Sequence, residues 1–118
     1  MPIPPFQDMF LPFLQYTADG QIHSTQDVAE HLATHFKLTP ADLAEGLPSG
    51  RQTKFYNRVA WAKSFLGKAL VIEHTARNRF QITTRGRDLL AAGHSRIDNR
   101  TLSQFPEFQV FRGLHEDA

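Results

Sequence analysis

The longest regular pattern in this chain runs from residue 52 to residue 69, where apolar side chains recur at the spacing of an α-helix. The apolar stripe consists of Phe55, Val59, Ala62, Leu66 and Ala69. Two short runs typical of strands follow directly, at residues 70–74 and 79–82, with a polar turn between them. With 118 residues the chain is the size of one domain, so the other segments are expected to pack around this helix and hairpin.

The N-terminal segment predicts a helix that is interrupted by proline. Pro4 and Pro5 suit a first helical turn, and apolar residues then recur at helical spacing as far as Leu14. Pro12 lies inside this pattern and is expected to kink or divide the helix, because its ring excludes a backbone hydrogen bond. Residues 18–20 end the helix, and residues 21–23 are compatible with a very short strand.

Three further helices begin at capping signals. Ser24 and Thr39 are each followed three positions later by Asp, which is the pattern of a helix start. The helix after Thr39 is short, because residues 46–50 are rich in Gly and Pro. Thr83 is expected to cap a closing helix that ends at Gly93.

This order of elements is that of a winged helix-turn-helix, an α+β fold that is mostly α. In that fold the helix before the hairpin enters the major groove of DNA, and the hairpin, or wing, lies along phosphates or in the minor groove. Residues 1–94 are expected to form this domain, and residues 95–118 a C-terminal tail or linker. The tail carries Phe105, Phe108 and Phe111 at spacings of three. This stripe could pack against another domain, but folding back on the core is the favoured interpretation.

The basic residues are concentrated in one part of the chain. Residues 51–87 contain nine of the thirteen Lys and Arg residues and a single acid, Glu73, for a net charge of +8. The segments before and after have net charges of −5 and −2. A basic block between acidic segments indicates a surface that binds a polyanion.

Helical geometry places part of this charge opposite the apolar stripe of the long helix. That outward face carries Lys54, Asn57, Trp61, Ser64 and Lys68, with Arg58 at its flank. Asn can pair with adenine and Lys can contact guanine or phosphate, whereas free N–H groups at a helix start favour phosphate. The predicted DNA contacts are Ser49, Gly50, Arg51, Gln52, Lys54, Asn57, Arg58, Trp61, Arg77, Asn78 and Arg79.

Each contact has a structural alternative. Lys68 is interpreted as a solvated side chain, and the hairpin arginines are expected to contact phosphate or the minor groove, although an ordinary exposed hairpin is the alternative. For Trp61, stacking on a base or sugar and burial under the closing helix or the tail are left equally open.

No catalytic residue, metal site or cofactor is predicted. His31 and His35 have a spacing that can chelate zinc, but no third ligand is evident, so a solvated helix face is favoured. The segment Gln52-Thr53-Lys54 matches the end of a nuclease metal motif, yet it opens a helix where that motif needs two adjacent strands. The chain has no Cys, no apolar run of transmembrane length and no signal-peptide pattern, so a cytoplasmic location without membrane contact is expected.

Several strings together resemble the N-terminal domain of Mrr-type restriction endonucleases. They are residues 4–14, Leu47-Pro48-Ser49-Gly50-Arg51-Gln52, Phe55-Tyr56-Asn57-Arg58-Val59-Ala60-Trp61-Ala62, Gln81-Ile82-Thr83-Thr84-Arg85-Gly86, and residues 97–108 with Gln104-Phe105-Pro106-Glu107-Phe108. The resemblance implies a winged-helix DNA-binding domain, followed in such proteins by a separate PD-(D/E)xK-type nuclease domain that cuts modified, typically methylated, DNA. It also implies that Ser49 to Arg51 and the outward face of the long helix form the reading surface.

This chain departs from the family pattern at two points. Leu70 stands where the family usually has Gly after the long helix, and the nuclease domain is absent from the chain. The function predicted is double-stranded DNA binding as the target-recognition domain of a Mrr-like restriction endonuclease, with methylated DNA as one candidate target. The alternatives are a stand-alone winged-helix transcription regulator that binds as a homodimer and a protein–protein interaction module that uses the Phe-rich tail. The partners expected are duplex DNA and, in a full-length protein, a C-terminal nuclease domain.

Overall fold

The computed structural model describes residues 3–47, 50 and 52–116, with side chains up to residue 113. The fold is α+β and mostly helical, with one small antiparallel sheet. Its regular elements are a 3-10 helix Phe6–Met9, α1 Phe10–Tyr16, a 3-10 helix Thr17–Asp19, β1 His23–Ser24, α2 Thr25–His35, α3 Pro40–Ala44, α4 Lys54–Lys68, β2 Ile72–Ala76, β3 Arg79–Ile82, α5 Thr84–Ala91, α6 Asn99–Leu102 and α7 Pro106–Glu116. None of these helices is long and apolar enough to cross a membrane.

The helix starts follow the capping signals of the sequence. Ser24 and Thr39 each accept the N–H of the Asp three residues later, and that Asp accepts the N–H of the capping residue in return. Thr83 caps α5 by accepting the N–H of Gly86 at 3.1 Å, without a bond in return, because Gly86 has no side chain. The N-terminal helix is divided, as expected, but before Pro12. Because α1 begins at Phe10, Pro12 lies in its first turn, where an N–H group has no intrahelical partner to lose.

Three predicted elements have different bounds in the structure, and one of them is the very short strand expected at residues 21–23, which is β1 His23–Ser24. The long helix α4 begins at Lys54, two residues later than predicted, because Thr53 takes the capping position and accepts the N–H of Tyr56 at 3.2 Å. Strand β2 runs from Ile72 to Ala76 where residues 70–74 were predicted, because the chain needs Leu70 and Val71 to end the helix.

Leu70 ends α4 in the left-handed backbone conformation, with φ at 61°. Its N–H donates to the carbonyl of Gly67 at 3.0 Å, and the Val71 N–H donates to the carbonyl of Leu66 at 3.2 Å. These two bonds form a Schellman motif, which usually has Gly at the left-handed position. The helix–strand turn is therefore kept in spite of the Leu, at the cost of backbone strain.

The sheet has the order β1-β3-β2, so the hairpin β2–β3 is attached to the N-terminal half of the chain through β1. His23 pairs with Phe80 and Ser24 with Arg79. The carbonyl of Asn78, in the hairpin turn, accepts the N–H of Thr25 at 3.4 Å. The tip of the hairpin is thereby placed at the start of α2.

The core includes the whole apolar stripe of α4, together with Phe65, which the sequence analysis did not assign to it. The C-terminal segment folds back on this core, since Ile97, Leu102 and Phe108 are at most 1% exposed. The rings of Phe108 and Phe111 lie 5.8 and 5.1 Å from the ring of Phe65. Residues before and after position 94 therefore share one core.

Candidate nucleic-acid interface

The face of α4 opposite its apolar stripe is open to solvent. Asn57, Ala60, Trp61 and Ser64 line a shallow depression of about 240 Å³ on this face. Trp61 is 45% exposed, and its ring lies 6.3 Å from Phe6 and 5.9 Å from Phe65. Its indole is thus supported on one side by core aromatics and presents the rest of its surface outward.

Asn57 and Gln52 are joined by a hydrogen bond of 2.8 Å, in which the Asn57 Nδ2 donates to the Gln52 Oε1. Gln52 is exposed and Asn57 is half-buried. The bond orients two amide side chains beside the start of α4, where each keeps further donor or acceptor positions. An amide that is already oriented loses less entropy on binding a base edge.

The loop before α4 carries three of the predicted DNA contacts, Ser49, Gly50 and Arg51. Ser49 and Arg51 lie outside the described residues, and Gly50 is exposed with φ at 73°. Helix α4 begins after Thr53, and the N–H of Gly50 donates to the carbonyl of Leu47 at 2.9 Å. Contact of residues 49–51 with DNA stays a prediction.

Several members of the basic block have partners within the protein. Arg58 donates to the backbone carbonyls of Ile3 and Pro4, the latter at 3.1 Å, and so ties the N-terminal segment to α4. Lys54 Nζ lies 3.6 Å from a carboxylate oxygen of Glu45. These two basic residues border a wide cleft beside α3, and both side chains already have partners within the protein.

Arg85 is also engaged internally. Its guanidinium donates to the carbonyl of Ala69 at 3.0 Å and to Glu107 at 2.8 Å, and it lies over the ring of Phe105 at 4.6 Å. The hydrogen bond from Arg85 holds the pKa of Glu107 below its usual value. The contacts of Arg85 with Glu107 and Phe105 attach the start of α7 to the start of α5.

The hairpin turn and the start of β3 carry two exposed arginines of the block. Arg77 and Arg79 are both exposed, and Asn78 between them has φ at 59°. Within the part of the chain that the structure describes, Arg79 donates to the Asn78 carbonyl at 3.3 Å, and Arg77 forms no hydrogen bond or ion pair. The guanidinium of Arg77 is therefore available to an external anion.

A second cleft, of about 320 Å³, lies between α4 and β2, next to the depression around Trp61. Its lining residues are Lys63, Ser64, Gly67, Lys68 and His74. His74 and Lys63 were not among the predicted contacts, and Lys68 was interpreted as a solvated side chain. The one available signal was a Gly inside the long helical pattern, which indicates a close approach by another group.

The two histidines with metal-binding spacing lie on the outer face of α2. His31 stacks on Tyr16, with 4.6 Å between ring centres, and burial lowers the pKa of His31. The described residues contain no group of three or more side chains that could hold a metal ion.

These features define a class of protein: a small, mostly helical α+β domain whose longest helix has no acidic residue and whose hairpin turn carries two exposed arginines. The family model of the Mrr N-terminal domain matches residues 6–92, and the chain belongs to this family. The resemblance found in the sequence is thereby confirmed. The family associates the chain with Mrr-type restriction systems, and the matched region is the N-terminal domain, distinct from the nuclease domain. No curated protein and no solved structure matches the chain.

Proposed function

We propose that this domain binds double-stranded DNA and acts as the target-recognition domain of a Mrr-like restriction endonuclease. The observation that carries the proposal is the open face of α4, a helix without an acidic residue in its 15 positions, together with the cleft in which Ser64 and Lys68 of this helix adjoin His74 of β2. We call this face together with the hairpin turn the α4–hairpin surface, and it consists of Asn57, Trp61, Ser64, Lys68, Arg77, Asn78 and Arg79.

In this proposal the architecture is a winged helix-turn-helix. Helix α4 is the recognition helix, and the β2–β3 hairpin is the wing. An α-helix fits the major groove of B-DNA, where amide side chains read base edges, and arginines of a wing contact phosphates or the minor groove. Asn57 and Trp61 are the proposed reading residues, whereas Arg77 and Arg79 position the domain on the backbone.

The contacts within the protein decide which roles we propose for the other predicted residues. Arg58 is proposed as a structural residue, because its guanidinium is occupied by two backbone carbonyls. Lys54 and Gln52 remain at the edge of the surface, and Ser49, Gly50 and Arg51 belong to the adjoining loop. Methylated DNA is kept as a candidate target, and the nuclease activity is assigned to a separate domain of a full-length protein.

The Phe-rich tail argues against the protein–protein alternative in its simplest form. Phe108 is fully buried, and Phe105 and Phe111 pack against the core. An apolar stripe that is already covered by its own domain does not offer a docking face. A stand-alone regulator that binds DNA as a homodimer would use the same surface, and sedimentation with and without DNA separates it from a monomeric recognition domain.

The test is a titration of methylated and unmethylated duplexes at two salt concentrations, followed by fluorescence anisotropy. Each phosphate that the protein neutralises adds about −0.9 to the slope of log affinity against log salt. Arg77→Gln is expected to make that slope less negative by about 0.9 if Arg77 contacts one phosphate. Lys37→Gln is the matched control, because it removes one positive charge at the far end of α2, about 16 Å along the helix from the end that meets the hairpin turn. An absence of salt-dependent binding to every duplex would reject the proposal.

A further inference from the structure

The cleft between α4 and β2 contains a helical glycine that has a structural explanation. Gly67 lies in the last turn of α4, where Gly costs about 1 kcal/mol relative to Ala. A Cβ at this position would lie only 2.9 Å from the Cε1 atom of His74. Gly67 therefore lets the imidazole of His74 lie against the helix backbone, even though the outer part of that side chain is exposed.

The charged groups around this imidazole are basic. Lys63 and Lys68 of α4 line the cleft with it, and the cross-strand neighbour of His74 is the apolar Phe80. Glu73 precedes His74 on β2, so its side chain points to the other face of the sheet. Burial and the positive charges of Lys63 and Lys68 together hold the pKa of His74 below its usual value.

The Lys63 side chain is also held in place. Its Nζ donates to the Thr25 Oγ1 at 3.1 Å, and burial lowers its pKa. Partial removal from water destabilises the charged form of an ammonium group, and a neutral partner does not balance its charge. The approach of an anion therefore stabilises it. Ser64, at the same wall of the cleft, adds a hydroxyl donor.

We propose that this cleft binds one phosphate group of the DNA backbone, held by the side chains of Lys63, Lys68 and His74. The inference rests on the proposed function and deepens it, because it adds three contact residues between the recognition helix and the wing. A bound phosphate stabilises the protonated imidazole, so DNA binding takes up a proton at His74. Duplex affinity should therefore rise as the pH falls through the pKa of His74 in the complex.

The experiment compares wild-type protein, His74→Gln and the control His35→Gln between pH 8 and pH 5.5, with anisotropy of a labelled duplex as the readout. If phosphate raises the pKa of His74 by one unit, wild-type affinity gains up to about tenfold more over this range than the affinity of His74→Gln, because the full factor is reached only below both pKa values. His35→Gln removes an exposed imidazole at the end of α2 and should keep the wild-type pH profile. Identical pH profiles for wild type and His74→Gln would overturn the assignment to the DNA backbone.

Gly67→Ala gives a second test that does not depend on loss of folding. The new methyl group displaces the imidazole but favours the helix, so the protein should stay folded while duplex affinity falls several-fold. Unchanged affinity with a displaced His74 resonance in the NMR spectrum would contradict the proposal.

Inorganic phosphate separates this inference from the proposed function. A phosphate titration that shifts the His74 imidazole resonance and raises its pKa supports the cleft as a phosphate site, even if no duplex binds and the proposed function fails. A shift with inorganic phosphate but with no pH-linked duplex binding would assign the cleft to free phosphate and overturn its role in DNA binding. No response to either probe would remove the site altogether.

Discussion

Replacing Gly86 with Ala should destabilise the domain, although Ala is the better helix former. A Cβ at Gly86 would lie 2.2 Å from the carbonyl oxygen of Val71 and 2.7 Å from a side-chain carbon of Ile82. An ordinary carbon–oxygen contact is about 3.3–3.6 Å, so α5 would have to move by about 1 Å. Val71 cannot easily give way, because its carbonyl accepts the Thr83 N–H at 3.1 Å and its own N–H belongs to the turn after α4.

The expected magnitude follows from three contributions. Gly to Ala inside a helix gains about 1 kcal/mol. Overpacking costs about 1–3 kcal/mol, and loss of the Thr83 hydrogen bond adds about 0.5–1.5 kcal/mol. We expect the free energy of unfolding to fall by about 0.5–3.5 kcal/mol net, which corresponds to a Tm lower by a few degrees to about 15 °C.

Urea denaturation with circular dichroism as the signal measures this change. Gly113→Ala is the matched control, because a Cβ at Gly113 in α7 has no heavy atom within 4 Å. That variant should gain up to about 1 kcal/mol in stability. If Gly86→Ala were as stable as wild type, the close approach of α5 to Val71 would be refuted.

Three other perturbations test further parts of the fold. Leu70→Gly should stabilise the domain by up to about 1 kcal/mol in urea denaturation, because the relief of left-handed strain exceeds the entropy that Gly adds to the unfolded chain. A clear loss of stability would mean that Leu70 makes packing contacts that its 45% exposure does not indicate. Phe108→Ala should cost about 3–5 kcal/mol, whereas Val110→Ala, at a position 64% exposed, should change the free energy of unfolding by less than about 0.5 kcal/mol; equal effects would contradict the packing of the tail. The backbone hydrogen bonds of the two capping boxes lower the pKa of Asp27 and Asp42, so their contribution to stability is complete above about pH 4 and is lost as the pH falls through the lowered values. Unfolding measured from pH 5 to pH 2 should show a smaller loss of stability for Asp42→Asn than for wild type. Equal losses would contradict a contribution of the Asp42 carboxylate to this pH dependence.

Local signals predicted much of the secondary structure. The caps at Ser24, Thr39 and Thr83 rest on side chains that bond to the backbone within three residues, and such bonds can be read from sequence spacing. The stripe of α4 was predicted for the same reason, since helical periodicity places those residues on one side. Thr53 was missed as the cap because Gln52 also fits the start of a helix.

The candidate site was predicted less completely, because its charges have partners that are distant in sequence. Arg58 donates to the carbonyls of Ile3 and Pro4, which lie 55 and 54 positions away, and no local pattern indicates such a bond. His74 is placed against Gly67 by the docking of a strand on a helix, which is again a tertiary event. The charge along the chain indicates a basic block, but it does not separate structural arginines from exposed ones.

The two ends of the domain meet, and this affects how the protein is made. Asp8 pairs with Arg96, and the N–H of Asn99 donates to the Gln7 Oε1 at 2.9 Å. A ribosome adds about 5–20 residues per second, so the first helical turn waits roughly 5–20 s for the partners that complete its packing. A chain that stopped at residue 92, where the family match ends, would lack Ile97, Leu102 and Phe108, and Phe65 would lose its contacts with Phe108 and Phe111. The unit that folds is thus longer than the unit that the family match describes, and the nascent protein is exposed to aggregation until that last stretch has been synthesised.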